Sequence, residues 1–352
     1  MQACVGHRAP ARQVVAYLCL AVTLVACGCR GGADTLTVYT ALDEEFSAPV
    51  FEEFTSETGI RVRPRYDVEA AKTTGLVQLI LEEHRRGVPR CDVFWNNEII
   101  GTLRLLQAGA LEPVSIQEAA LFPEQFRSPE GYWYGFAARA RILLCNTSQL
   151  QPDQMPRSVF ELTDPQWRGR FAIANPLFGT TNTHMTCLFA VLGTDRAREW
   201  IEELWQNEPL VLPGNRHVAE AVASGRVPVG LTDTDDALGQ IRRGAAVRIV
   251  FPDQDGLGTL LIPNSVAVVR GTRNPAGATA LVGYLLSAKT EKRLALGPSG
   301  QIPLRRDLQD DPEIREAFAG EVLGKVRSME VDFEQAAHQW ETVNRFLEAL
   351  TR

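Results

Sequence analysis

The strongest constraint on the fold is a repeated alternation of strand-like and helix-like segments over residues 35–109. Residues 35–40 (TLTVYT) alternate in polarity as a strand does, and residues 43–57 then place their large apolar side chains on one helical face. The same pair of patterns follows twice more. This β-α-β-α-β-α order predicts a parallel sheet covered by helices on both faces. Ligands of such sheets bind beyond the carboxyl ends of the strands, which here are residues 40–44 and 96–98.

Two long apolar segments indicate that the chain forms two units. Residues 131–146 (GYWYGFAARARILLCN) and 260–269 (LLIPNSVAVV) are strand-like, and they bracket a second series of strands and helices. A chain that passes into a second unit and returns makes a hinged cleft between the two. We therefore predict a two-lobe α/β fold, with lobe one at residues 34–137 plus 254–352 and lobe two at 138–253.

The C-terminal segment, residues 311–350, has an amphipathic helical pattern, and we expect it to pack against lobe one. The chain has 352 residues, of which 45% are hydrophobic, and this is enough for two packed cores. Its net charge of -7 argues against a general basic surface, so we do not expect a nucleic-acid partner.

The N-terminus has the pattern of an export signal. Basic residues precede an uncharged apolar run at residues 14–26, whose 13 residues are too few to span a bilayer as a helix. The run ends in Leu-Val-Ala-Cys, which matches the bacterial lipobox, where the cysteine is lipidated. We predict a signal peptide at residues 1–26, lipidation of Cys27 and a tether at 27–33. A plain signal peptide is the alternative.

These features predict an exported protein. Its lipid anchor would lie in a bacterial membrane, and its globular part in the periplasm or outside the cell.

The remaining chemistry-bearing residues form no enzyme motif. The sequence has no GxSxG, HExxH, Walker loop or dinucleotide fingerprint, and its histidines are well separated. Cys91, Cys145 and Cys187 lie in apolar or helical patterns and are expected to be buried, while a bridge between Cys145 and Cys187 stays open. We predict a protein that is not an enzyme and requires no cofactor, with a metal ion considered only as cargo.

Three carboxylates follow a strand-like segment of the second unit. Residues 227–231 (VPVGL) precede Asp233, Asp235 and Asp236, which places these side chains at the cleft edge of the sheet. One aspartate is enough to cap the helix predicted at 236–243. Three within four positions exceed that need, so we predict a cationic ligand, either a metal ion bound through oxygens or an organic amine.

Two acidic residues of lobe one, Asp43 and Glu98, are expected to supply opposing oxygens. A metallohydrolase built on the three aspartates is the enzymatic alternative.

An opposite signal lies in residues 178–183 (FGTTNT), which open a helix after a strand. N–H groups and hydroxyls at a helix N-terminus form an anion site. Arg139 and Arg141 alternate along the first long strand, so one of them is a candidate to hold a carboxylate or a phosphonate. Together these features leave open a zwitterion, or a metal with its counter-anion.

Aromatic side chains complete the candidate set, and we favour Trp95 and Tyr132 as cleft walls. The predicted ligand-binding residues are Tyr39, Thr40, Asp43, Trp95, Asn97, Glu98, Tyr132, Arg139, Thr180, Thr181, Asn182, Thr232, Asp233, Asp235 and Asp236. Asp233, Asp235 and Asp236 are the predicted ligands if a metal is bound.

Several segments together resemble a known family. The lipobox, the opening LTVYTALDEEFSAPVFEEFTSETGIRV, the segment DVFWNNEIIGTLRLLQAGALEP, the hinge-like residues 131–146 and LLIPNSVAVVRG occur in an order similar to the extracellular solute-binding proteins of bacterial ABC importers. Within that family the chain most resembles the ferric-ion-, thiamine- and phosphonate-binding periplasmic proteins. The resemblance implies a type II-like periplasmic binding protein fold, with β-strand hinges and a solute clamped between two lobes.

The resemblance also implies an ABC permease and its ATPase as partners of a monomeric protein that meets the membrane only through its lipid. The ligand set departs from the family, because ferric-binding members carry adjacent tyrosines where this chain has TDTDD at residues 232–236. The solute therefore stays open between a ferric-type metal ion and a small charged organic molecule such as a phosphonate or an amine. A lipoprotein that presents its ligand to a sensor is the alternative role.

Overall fold

The computed structural model describes residues 1–3, 35–66, 74–318 and 326–352. Cys27, the tether and nearly all of the predicted signal peptide lie outside these described residues. Each helix in the described ranges is too short or too polar to cross a bilayer.

The described regular elements follow the predicted alternation closely. The strands are β1 Thr35–Thr40, β2 Arg61–Tyr66, β3 Val93–Asn96, β4 Leu111–Glu112, β5 Tyr134–Asn146, β6 Phe171–Ala174, β7 Leu210–Leu212, β8 Val229–Asp233, β9 Val247–Val250 and β10 Leu261–Val269. The α-helices are α1 Glu44–Thr58, α2 Thr74–Arg85, α3 Ile100–Gln107, α4 Gly179–Leu192, α5 Thr194–Gln206, α6 Asn215–Ala223, α7 Thr234–Arg242, α8 Pro275–Leu285, α9 Ala288–Leu296, α10 Pro312–Ala317 and α11 Phe333–Leu350.

The first unit is built on the parallel strands that the sequence predicts. β1 pairs in parallel with β2 and β3, and the sheet continues through β10 and β5, both antiparallel to their neighbours. Helix α1 buries Val50, Phe51 and Phe54 against the core, and it ends at Gly59, whose φ of 74° gives the left-handed turn that glycine adopts without strain.

The second unit has its own sheet. β6 pairs in parallel with β7 and β8, while β8 and β9 both pair antiparallel with β5. Strand β8 ends at Asp233, and α7 begins at the next residue. The predicted acidic segment therefore stands at the carboxyl end of a central strand.

Strand β5 passes from one sheet to the other. Its residues 134–140 pair with β10, its residues 141–146 pair with β8 and β9, and all of its side chains are buried. The bend falls at Ala137, which has a φ of 42° and lies beside a register shift in β10. This arrangement confirms two α/β units joined by long strands. The residue limits of the two lobes stay a prediction.

Helix α11 contacts both units, whereas the sequence predicted packing on lobe one. The Arg104 guanidinium of α3 stacks 3.5 Å from the Trp340 ring, and Trp340 Nε1 donates a hydrogen bond to Asn182 Oδ1 of α4 at 3.0 Å. Phe346 packs against Phe189 of α4, with 5.9 Å between ring centroids. Helix α11 therefore contacts α3 of the first unit and α4 of the second.

The bend in β5 is held by a buried carboxylate. Glu291 on α9 accepts hydrogen bonds from the backbone N–H groups of Ala137, Leu304 and Arg305 at 2.7, 3.1 and 2.8 Å. Burial raises the pKa of Glu291 from 4.5 to about 7, although the three N–H donors lower it. The folded state therefore binds this proton more tightly than the unfolded chain.

This linkage predicts the sign of a pH effect on stability. The contribution of Glu291 to the free energy of unfolding should rise as pH falls from 8 through about 7 toward 4.5. Between pH 8 and pH 5.5 we expect wild type to gain on the order of 2 kcal/mol relative to Glu291→Gln, measured by urea unfolding. The matched control is Glu316→Gln on exposed α10, which should keep the wild-type pH dependence. Parallel pH profiles for wild type and Glu291→Gln would contradict the assignment.

Candidate functional site

A buried ion pair closes the carboxyl end of β8. Arg141 and Asp233 are register partners on β5 and β8, and Arg141 Nη1 lies 2.7 Å from Asp233 Oδ1. Asp233 Oδ2 accepts hydrogen bonds from Thr180 Oγ1 at 2.6 Å and from Asn215 Nδ2 at 3.0 Å. Both carboxylate oxygens are thus occupied by protein donors, and the Arg141 side chain is 0% exposed. The Nε of Arg141 has no hydrogen-bond acceptor among the described residues.

The predicted anion-binding hydroxyls belong to the same network. Thr180 Oγ1 and Thr181 Oγ1 each accept from the Arg141 guanidinium at 3.3 Å. Asn182 instead faces α11, where its Nδ2 donates to Asn344 Oδ1 at 2.7 Å. In this conformation the Arg141 guanidinium is bound by partners within the protein. It is therefore not free to bind an anion through two parallel hydrogen bonds.

The two remaining aspartates stand at the start of α7. Ligand atoms of Asp233, Asp235 and Asp236 all lie within 4.8 Å of one another. Asp235 and Asp236 are partly exposed, and Asp235 Oδ1 accepts the backbone N–H of Asp236 at 3.1 Å. Burial, together with the neighbouring carboxylates, raises the pKa of Asp235 and raises that of Asp236 well above its usual value. Burial and the neighbouring carboxylates therefore both disfavour the ionised form of these two aspartates.

Arg139 is the nearest cation to these two aspartates. Its Nε lies 3.5 Å from Asp235 Oδ2, and its side chain is 9% exposed. Burial opposes its charge, but Asp235, Asp233, Asp236 and Asp43 together raise the pKa of Arg139. Asp43, which precedes the first helix of the first unit, thus acts on the same arginine as the aspartates of the second unit. Its role as an opposing ligand oxygen stays a prediction.

Glu98 has a structural place in the first unit. Its carboxylate accepts from Ile100 N at 2.6 Å and Gly101 N at 2.7 Å, which caps α3. It also accepts from Asn96 Nδ2 at 2.9 Å and from Thr183 Oγ1 of α4 at 3.0 Å. Burial raises the pKa of Glu98. With four donors its oxygens are occupied, and the bond to Thr183 ties α3 to α4.

Three predicted residues of the first unit lie in the core. Tyr39 donates its hydroxyl to Glu83 Oε1 at 2.7 Å, and burial raises the pKa of this phenol. Trp95 is 0% exposed, and its Nε1 donates to Asn264 Oδ1 at 3.2 Å. Thr40 is also fully buried. We therefore leave these three residues out of the ligand set proposed below.

The other predicted residues are placed as follows. Asn97 and Tyr132 are partly exposed, and Thr232 Oγ1 donates to the carbonyl oxygen of Asn215 at 3.0 Å. Asn215, which bonds both Arg141 and Asp233, is absent from the predicted set. Asn215 lies at the start of α6, shortly after β7 ends. The rule that ligands bind beyond the carboxyl ends of strands would therefore also have selected it. Cys91, Cys145 and Cys187 are buried free thiols, so Cys145 and Cys187 do not pair.

The buried pair predicts a large stability effect. Arg141→Met should leave the Asp233 carboxylate buried without its cation and lower the free energy of unfolding by about 3–5 kcal/mol. Arg141→Met/Asp233→Asn should recover at least half of that loss, because the buried charge is then absent. Arg248→Met on exposed β9 is the control and should change stability by less than about 0.5 kcal/mol. Urea unfolding measures all four proteins, and a small loss in Arg141→Met would refute the pair's role.

Two sheet-and-helix units, joined by long strands and with polar groups gathered at strand ends between them, define a two-lobe binding protein. Residues 102–318 match the family described as bacterial extracellular solute-binding protein, and the chain belongs to this family. The family resemblance and the two-lobe α/β fold that were predicted from the sequence are therefore confirmed. The chain is a solute-binding protein and not an enzyme, which removes the metallohydrolase alternative.

Named relatives extend the comparison. The chain is 27% identical over 278 residues to Iron uptake protein A1 of Synechocystis sp., a match that covers 75% of this chain and 74% of that protein. It is 23% identical over 304 residues to the Major ferric iron-binding protein of Neisseria meningitidis, covering 84% and 87% of the two chains. The structure of iron-bound HitA from Pseudomonas aeruginosa aligns with a TM-score of 0.77 at 24% identity, over 89% of this chain and 99% of that one.

Proposed function

We propose that this chain captures a ferric-type cation between its two lobes and delivers it to the permease and ATPase of an ABC importer. The metal is cargo, and no resident cofactor is required. The observation that carries the proposal is the group of three carboxylates within 4.8 Å at the end of β8, two of them partly exposed.

The charges around this cluster favour a cation. Asp233, Asp235, Asp236 and Asp43 supply four carboxylates near Arg139, and the guanidiniums of Arg139, Arg141 and the exposed Arg216 leave an excess of one negative charge when all four are ionised. Arg141 compensates Asp233 directly, so the excess falls on the partly exposed pair Asp235 and Asp236. A highly charged cation gains most from such a potential, since the Coulomb energy scales with its charge.

The donor atoms suit a hard metal ion. Carboxylate oxygens are preferred ligands of small, highly charged cations, whereas thiolates and thioethers favour softer ones. The relatives in the comparison carry the names of iron-uptake and ferric iron-binding proteins. This chain has TDTDD at the end of β8 in place of adjacent tyrosines, so we propose Asp235 and Asp236 as its cation ligands.

The topology provides a means of enclosing the cargo. Asp235 and Asp236 belong to the second unit and Asp43 to the first, and β5 bends between them at Ala137. We propose that the cation binds first to the aspartates of α7 and that bending at β5 brings the first unit over it. Contacts made only in the closed form would shift the population toward closure. No covalent step is involved.

Anchoring completes the proposed role. Lipidation of Cys27 would hold the protein on a bacterial membrane beside its permease, with the 27–33 tether giving it reach. A phosphonate is less well supported as cargo, because Arg141 is bound by Asp233. An organic amine would use the same aspartates, and the experiment below separates it from a metal.

The proposal predicts the effect of two substitutions. Asp235→Ala and Asp236→Asn should each weaken binding of ferric nitrilotriacetate by more than tenfold, about 1.4 kcal/mol or more, because each removes an anionic oxygen ligand. Asp255→Asn, an exposed aspartate in a loop, is the matched control and should bind as wild type does. Isothermal titration measures the affinities.

Putrescine and methylphosphonate are titrated alongside as probes of the other cargo classes. Tight binding of putrescine without binding of ferric ion would show that the cargo is an amine and not a metal. Unchanged ferric affinity in both aspartate variants would remove the α7 cluster from the site.

A further inference from the structure

Arg139 and Arg141 lie two residues apart on β5 but have contrasting environments. Arg141 pairs in register with Asp233 on β8, and its guanidinium has four polar partners at 2.7–3.3 Å. Arg139 pairs in register with Ile262 on β10, in the other sheet. It is almost fully buried, yet its nearest carboxylate oxygen, Asp235 Oδ2, is 3.5 Å from Nε. The Arg141 guanidinium is therefore held by several close partners, whereas the Arg139 guanidinium has only a loose ion pair.

The Nε–H of Arg139 is an unused donor. Among the residues that the structure describes, no acceptor forms a hydrogen bond with it. Its Nη2 donates to Gln301 Oε1 at 3.3 Å when that amide is turned to satisfy both of its ends. A buried charged donor without a partner is costly. Arg141 Nε also lacks an acceptor among the described residues, so the feature particular to Arg139 is that the rest of its guanidinium is weakly bonded while it stands beside the acidic cluster.

The position of Arg139 makes it a competitor for the cargo. A cation bound by Asp235 and Asp236 would share Asp235 with the guanidinium and be repelled by it. The backbone of Arg139 is bonded to β10, whereas Asp235 follows β8 in the second unit. Residue 139 nevertheless lies beyond Ala137 on the same side as α7, and the backbone N–H of Ala140 donates to Thr234 Oγ1 at 3.1 Å, so Arg139 stays beside Asp235 when β5 bends.

We propose that Arg139 is a built-in counter-cation that competes with the cargo for Asp235, and so limits the affinity of the site and speeds release of the cargo. This inference rests on the proposed function of cation capture. Its physical basis is the loose ion pair between Arg139 and Asp235, whose nearest atoms are 3.5 Å apart. A tight pair such as Arg141 and Asp233 would not yield its carboxylate to a cation in this way, since both oxygens of Asp233 are bonded within the protein.

The test compares Arg139→Gln with wild type in the full-length protein. The glutamine removes the positive charge and retains a donor for Gln301. We expect Arg139→Gln to bind ferric nitrilotriacetate at least tenfold more tightly than wild type, and to release iron to excess EDTA at least tenfold more slowly in a stopped-flow measurement. Arg243→Gln, which removes the same charge from the exposed end of α7, is the control and should leave both quantities unchanged.

Each outcome decides a claim. Equal affinity and release rate in wild type and Arg139→Gln would overturn the competitor role. Weaker binding in Arg139→Gln would also overturn it and would show that the arginine holds an anion that enters with the cation. If wild type binds no ferric ion, the proposed function fails and this inference fails with it.

A second comparison covers the case in which Arg139→Gln does not fold. The variant Arg139→Gln/Asp235→Asn replaces the ion pair by two neutral amides, and it is compared with Asp235→Asn alone. The competitor role requires tighter ferric binding in the double variant, because Asp236 remains and the repulsion from Arg139 is gone. Equal or weaker binding in the double variant would exclude the role.

Discussion

Strand β5 is the element on which the rest of the structure depends. It is bonded to β10 along its first half and to β8 and β9 along its second half, so one continuous backbone belongs to both sheets. Its bend at Ala137 carries a left-handed backbone whose N–H is held by Glu291 and whose carbonyl is held by Asn264. Such strain persists only where surrounding groups fix it. Buried polar contacts therefore hold the backbone at this point of β5, while helix α11 and the hydrogen bond between Glu98 and Thr183 also join the two units.

The same strand places two arginines against the acidic end of β8. Arg141 is matched to Asp233 by strand register, and this pair anchors α4 and α6 through Thr180 and Asn215. Arg139 lies two residues earlier on β5 and forms only a loose ion pair with the aspartates of α7. The carboxyl end of β8 thus combines a buried, charge-neutral ion pair, Arg141 and Asp233, with the partly exposed carboxylates of Asp235 and Asp236. The division follows from register, because the two arginines bond different neighbouring strands.

Much of this architecture could be predicted from the sequence. Polarity alternation identified β1 to its end residues, and the spacing of TDTDD after a strand placed three carboxylates that the structure does bring together. Periodicity could not show which side of β1 or β3 faces the core, so Tyr39 and Trp95 were predicted at the cleft although both are buried. It also could not show that α11 lies across α3 and α4, since an apolar stripe does not identify its partner.

Replacing phenols by carboxylates changes the proton balance of a cation site. A phenol must lose a proton with a pKa near 10 before it can bind a metal, whereas an isolated aspartate is already ionised at neutral pH. Clustering reverses part of this difference, because burial and mutual repulsion raise the pKa of Asp235 and Asp236. Arg139 opposes that rise by stabilising the charged carboxylates. In the proposed cation site Arg139 thus has two opposing effects, because it favours the ionised aspartates and also repels the cation that they would bind, and the proposed competition requires the repulsion to be the larger effect.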